Sequence, residues 1–115
     1  MSRVKNKRRF GRNKSQKKAL MQSLSRNLVK NERIKTTEGK AKELRRFIEP
    51  LITIAKEDSA NSRRKLNKHF DEEIVDKMVS EIGPKYKERP GGYTRIIKIG
   101  QRDSDGAKEV FIELV

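Results

Sequence analysis

The chain has 115 residues with 30 lysines and arginines against 16 acids, a formal net charge of +14, 40% charged and 32% hydrophobic residues, so it makes one small domain with a modest core. With no cysteine and a single histidine, His69, disulfides, thiolate catalysis, cysteine-ligated zinc, a catalytic triad and a multi-histidine metal site are all excluded within one chain. The apolar runs fall short of the ~20 residues that cross a bilayer, and the basic start lacks the apolar core of a secretory signal, so a cytoplasmic protein without a membrane partner is expected.

The charge is concentrated at the start of the chain. Arg3, Lys5, Lys7, Arg8, Arg9, Arg12, Lys14, Lys17 and Lys18 precede any acid; Arg26 and Lys30 follow before Glu32, the first carboxylate, so +11 of the charge lies before Glu32 and +3 from Glu32 onward. Residues 1–14 therefore read as a basic, extended arm whose like charges repel until polyphosphate neutralises them, and residues 15–115 as a single balanced domain. A solvated tail or a localisation signal is the blander reading of such a run. Phe10, between Arg9 and Gly11-Arg12, is placed either to stack on a nucleic-acid base or to act as an apolar staple on the first helix.

From Ser15 the spacing predicts a helix to Asn31, with Leu20, Met21, Leu24 and Leu28 as its apolar stripe. Arg33–Thr37 is β-branched and predicts a short strand, with Thr37 capping the next helix. There Ala41, Leu44, Phe47, Ile48, Leu51, Ile52, Ile54 and Ala55 form a broad inward face, and the internal Pro50 predicts a kink or a division into two helices. Asp58-Ser59 caps a short polar helix, Asp71 caps another that Gly83-Pro84 should stop, and the three cations Arg63, Arg64 and Lys65 form either a phosphate patch or a solvated face. His69, beside Phe70, has no ligating partner type and reads as a packing residue. The loop from Lys85 to Gly92 carries Lys85, Lys87 and Arg89 with glycines that let backbone approach phosphate. Two β-rich runs, Tyr93–Ile99 and Glu109–Val115, flank a turn over residues 100–106 and predict an antiparallel hairpin. Its expected apolar face is Ile97 and Ile99 with Val110, Ile112 and Leu114. The fold class is α+β.

Several segments in this order resemble the bacterial large-subunit ribosomal protein family numbered seventeen: Phe10-Gly11-Arg12, residues 15–21 (SQKKALM), 32–37 (ERIKTT), 40–46 (KAKELRR), 49–53 (EPLIT), Gly91-Gly92-Tyr93-Thr94-Arg95-Ile96 and Ile112-Glu113-Leu114. The resemblance covers nearly the whole chain. The elements read above amount to about four helices and about three strands with no cofactor expected, and the resemblance implies that the helices pack on a small mixed sheet in a structural, non-catalytic ribosomal component. It further implies binding to large-subunit ribosomal RNA near the nascent-chain tunnel exit, with other large-subunit proteins as neighbours. On it, Gly91–Arg95 forms a tight loop entering a strand, with Arg95 near RNA or a buried acid. Two other classes compete. A general nucleoid-type DNA-binding protein follows from charge alone, and a metal-dependent nuclease would need Asp71, Glu72, Glu73 and Asp76, which a helix N-terminus already accounts for.

Overall fold

The computed structural model describes the backbone of residues 2–115 and the side chains of residues 14–115. Helix α1 (Ser2–Asn31) leads into strand β1 (Arg33–Thr37), helix α2 (Glu38–Ala55) and helix α3 (Ala60–Asn67). Helix α4 (Glu72–Lys77) continues through a π-helical turn (Met78–Ile82) into the short α5 (Gly83–Lys85), and strands β2 (Thr94–Gln101) and β3 (Lys108–Leu114) complete the chain. The extended arm expected over residues 1–14 lies, except for Lys14, outside the residues whose side chains are described.

α1 ends where Glu32 takes a left-handed conformation (φ 63°), its amide donating to Leu28 O at 2.7 Å, a helix-terminating geometry that turns the chain directly into β1. The buried stripe of α1 is Met21, Ser25, Leu28 and Val29, with Leu24 half-buried; Leu20, expected in the stripe, is 37% exposed. Thr37 caps α2 as its spacing predicts, accepting from Lys40 N. α2 then runs unbroken through Pro50 rather than dividing in two, since Pro50 and Arg46, whose carbonyl loses a donor, both face solvent. Ala41, Leu44, Ile48, Leu51, Ile52 and Ala55 form its buried face, which lies across the inner side of all three strands.

Ser59 and Ser62 cap α3 reciprocally (2.9 and 3.0 Å), and Asp71 Oδ1 caps α4. Gly83-Pro84 does not stop that helix. The Gly83 amide bonds back to Met78 O, and a β-carbon at Gly83 would lie 2.6 Å from Ala55 O, so glycine is what lets this turn press on the end of α2. Proline then occupies the opening turn of α5, where its missing donor costs nothing.

The sheet has the order β1-β3-β2 and both pairings are antiparallel, so it is not mixed. Its register places Ile34 and Ile96 on either side of Ile112, and Thr36 beside Val110, on the α2 side. Ile96, not Ile97, therefore points inward. Ile97 pairs with Phe111 on the outer side, and Ile97 and Ile99 are 37% and 47% exposed. The expected face is right for β3, where Val110, Ile112 and Leu114 are buried, and one residue out of phase for β2.

Candidate nucleic-acid interface

The cations singled out in the sequence fall into distinct environments. Arg3, Lys5, Lys7, Arg8, Arg9, Phe10 and Arg12 lie outside the residues whose side chains are described. Lys14 and Arg26 stand on exposed stretches of α1, and Lys17 reaches Glu43 of α2 at 3.5 Å across solvent, a pairing weak enough to exchange for phosphate. In the cluster on α3, Arg63 bridges to α4, with Nη1 2.7 Å from Asp76 Oδ1 and Nε 3.8 Å from Asp58 Oδ1. Arg64 and Lys65 are less constrained, and neither forms an ion pair among the described residues. The three neighbours are thus divided by geometry into one strut and two cations open to another partner.

Lys18 of α1 and Lys68 at the end of α3 converge on His69, whose ring meets Phe47 edge-on at 5.6 Å and Phe70 at 6.2 Å. Burial first, then the Lys18 and Lys68 charges, hold the imidazole below its usual pKa, and Nδ1 is buried without a hydrogen-bond partner among the described residues. His69 is a packing residue, as its sequence context suggests, and it registers the positive field of the lysines over it. Arg64 and Lys65 stand four and three residues before Lys68, the spacing that puts helical residues on one side. Among the described residues, no acid pairs with any member of the resulting patch of Lys18, Arg64, Lys65 and Lys68. Lys68 carries no weight in the sequence; its spacing from Arg64 and Lys65 is the available signal, and the approach of Lys18 is not readable there.

The loop before β2 is a second basic region, more constrained. Lys85 Nζ lies 3.5 Å from Glu32 Oε1 and 5.3 Å from the Tyr86 ring centroid, while Lys87 and Arg89 are exposed. Burial pushes the Tyr86 hydroxyl pKa up, and that hydroxyl donates to Val115 O at 2.5 Å. Lys56 Nζ donates to Arg89 O at 2.6 Å and to the Tyr93 hydroxyl at 3.1 Å, tying the loop to α2. Burial raises the Tyr93 hydroxyl pKa, but the bonds from Thr53 and Lys56 and the Lys56 charge outweigh it, so the net direction is downward.

Gly91 and Gly92 (φ 155° and 64°) make the tight entry into β2 that the resemblance implies, and Gly92 occupies the left-handed region that favours glycine. Immediately after it, Thr94 N and Oγ1 donate to Glu49 Oε2 at 3.3 and 2.8 Å. Arg45 Nε and Nη2 in turn donate to Thr94 Oγ1 and O, both at 3.2 Å. Nothing in the sequence sets these two α2 residues apart. Arg95 meets an acid: Nε and Nη2 donate to Glu113 Oε1 at 2.8 and 2.6 Å, with Glu113 only 15% exposed.

Further cations sit around acids. The Lys42 ammonium bonded to Glu38, against the cost of burial and with help from Lys98 and Lys108, holds that carboxyl below its usual pKa. Asp71 is occupied as a helix cap and Asp76 by Arg63, and among the described residues no three acids and histidines cluster as a metal site would require. No helix among the described residues is long and apolar enough to cross a membrane. Lys18, Arg64, Lys65 and Lys68 thus form one basic patch, near His69 at the end of α3, that pairs with no acid among the described residues. A family model, described as ribosomal protein L17, matches residues 20–115.

Proposed function

Because this chain belongs to the ribosomal protein L17 family and is therefore a protein of the large ribosomal subunit, we propose that it acts there as a non-catalytic structural component that binds large-subunit ribosomal RNA. The observation that carries the reading is the cluster of Lys18, Arg64, Lys65 and Lys68. In a chain that elsewhere neutralises many of its cations with nearby acids, four that pair with no acid among the described residues are placed for phosphate. The basic residues 1–14 form an RNA-binding arm that threads between phosphates, and residues 15–115 form the domain it extends. Lys17, Arg26, Lys87 and Arg89 add exposed charge on the same principle. The tunnel-exit position, the cytoplasmic setting and the neighbouring subunit proteins rest on the family resemblance.

Sedimentation of a cell lysate at stepped salt tests the reading. The protein is expected to travel with large subunits and to resist washing at moderate salt. Recovery only in the free pool would overturn it, and migration with chromosomal DNA would favour the nucleoid-type alternative that charge alone supports. Substituting Arg64, Lys65 and Lys68 together by alanine should weaken binding to ribosomal RNA fragments and reduce the dependence of log affinity on log salt by about one unit for each phosphate no longer neutralised.

A further inference from the structure

On the inner side of the sheet the rows change character toward the far end of the β2–β3 hairpin. Ile34, Ile112 and Ile96 make an apolar row under α2; in the next, Thr36 and Val110 are followed by Lys98. Lys108, two residues before Val110 on β3, falls on the same side. The last rung, Gln101 with Lys108, has no partner on β1, whose pairing ends at Thr37 and Glu109. α2 starts at Glu38, immediately after β1, and turns back over the sheet, so Lys98, Gln101 and Lys108 are left exposed. A groove of about 190 Å³ opens there, lined by Glu38, Lys98, Gly100, Gln101, Lys108 and Glu109. At Gly100, just past the bulge in β2, φ is 150° and a β-carbon would meet nothing within 4 Å, so bare backbone forms part of the wall.

Both carboxylates of this groove already have an ammonium. Lys42 Nζ is 3.1 Å from Glu38 Oε1, and Lys35 Nζ is 3.5 Å from Glu109 Oε2. Glu38 is kept ionised by its bond from Lys42 and then by the charges of Lys42, Lys98 and Lys108, yet neither Lys98 nor Lys108 forms an ion pair among the described residues. The second oxygen of Glu38 is buried and takes no hydrogen bond among them, so neither lysine has settled on it. Four ammonium groups thus stand around two carboxylates, an excess of two positive charges that an anion would relieve. The opening is smaller than the about 300–1,000 Å³ that encloses a small-molecule ligand, so it suits one anionic group of a longer chain passing over it. Ammonium groups engage phosphate as point charges, and a polyphosphate also releases condensed counterions, a gain that a single protein carboxylate does not bring. The Lys18, Arg64, Lys65 and Lys68 patch lies elsewhere: it gathers at His69, whose ring meets Phe47 of α2, nine residues or about 14 Å of helix from Glu38. One phosphate cannot serve both. Resting on the reading of the chain as an RNA-bound subunit component, we propose that the groove at the end of the hairpin seats a phosphodiester of large-subunit ribosomal RNA, held by Lys98 and Lys108. It is a second RNA contact, through which the domain joins two stretches of RNA.

The test uses large subunits assembled with the full chain carrying p-azidophenylalanine in place of Gln101, which leaves both lysines intact, and a companion set with the same group in place of Lys68. On irradiation both positions are expected to form adducts with ribosomal RNA, at different nucleotides. No RNA adduct at position 101, an adduct there with protein alone, or adducts of both positions at the same nucleotides would overturn the second contact. An RNA adduct at 101 with none at 68 instead overturns the assignment of the Lys68 patch and leaves the groove standing. Charge variants supply the energetic counterpart. Lys98→Gln with Lys108→Gln should flatten the dependence of log affinity for ribosomal RNA fragments on log salt by about one unit, with the melting temperature of the free protein unchanged. Glu38→Gln, which removes the carboxylate competing for these cations, should bind the fragments more tightly. If the two lysines serve only to neutralise Glu38, the double variant melts lower with its salt dependence intact and Glu38→Gln binds as the native chain does, and the proposal fails.

Discussion

His69 shows how one side chain reports on its surroundings. Its folded-state pKa lies below the ordinary value of 6.5 because burial, then Lys18 and Lys68, disfavour the imidazolium. The unfolded chain thus takes up the proton first as pH falls. The contribution to stability is complete above about 6.5 and is lost progressively below it, until the folded value is also passed. Thermal unfolding followed from about pH 8 down to about pH 5 should show this decline in the native chain and a smaller one in His69→Gln. Phosphate near Lys18 and Lys68 acts in the opposite direction by favouring the imidazolium, so titration of His69 by NMR should move to higher pH when a ribosomal RNA fragment is added. A titration that does not move would place the RNA elsewhere. At this scale the sequence identifies the type of each cation but not its neighbour. Arg63 and Arg64 are adjacent and chemically equivalent, yet only Arg63 reaches Asp58 and Asp76.

Among the elements, α2 is the most legible, because its apolar residues recur by threes and fours around a wide inward face and Thr37 supplies the cap. Leu44→Ala should cost about 2–5 kcal/mol in chemical denaturation, since that side chain is fully buried under the sheet. Leu20 departs from its expected burial for a geometric reason: each four-residue step turns a helix about 40° past a full turn, so a row that is buried at Leu28 has rotated toward solvent two steps earlier. β2 misleads because it has isoleucine in both phases, at 96, 97 and 99, and alternation cannot choose between them; only the pairing of Ile96 with Ile112 does. The π-helical turn has no sequence signal beyond Gly83-Pro84, a pair that ordinarily marks a helix stop. Gly83→Ala forces a methyl against the Ala55 carbonyl and should destabilise the domain by about 1–3 kcal/mol, measurable as a lowered melting temperature.

For the whole molecule, the division of charge into a basic start and a nearly balanced remainder is plain from counting, whereas its division over the surface needs the fold. Core burial in α1 begins at Met21, and residues 14–20 are all exposed. Removing residues 1–14 should therefore leave the circular dichroism and melting of the domain intact while weakening RNA binding and flattening its salt dependence; an unfolded product would show that the arm supports the fold. The strand order carries a further consequence. β1 and β2 do not pair with each other, and each takes its only partner from β3, which follows both in the chain. During synthesis neither strand has a place to go until β3 has emerged, while α1, with its cations, is made first and is free to engage. A chain halted before residue 108 should accordingly show helical but no sheet signal, which makes closure of the sheet the last event in this protein's maturation and leaves RNA capture free to precede it.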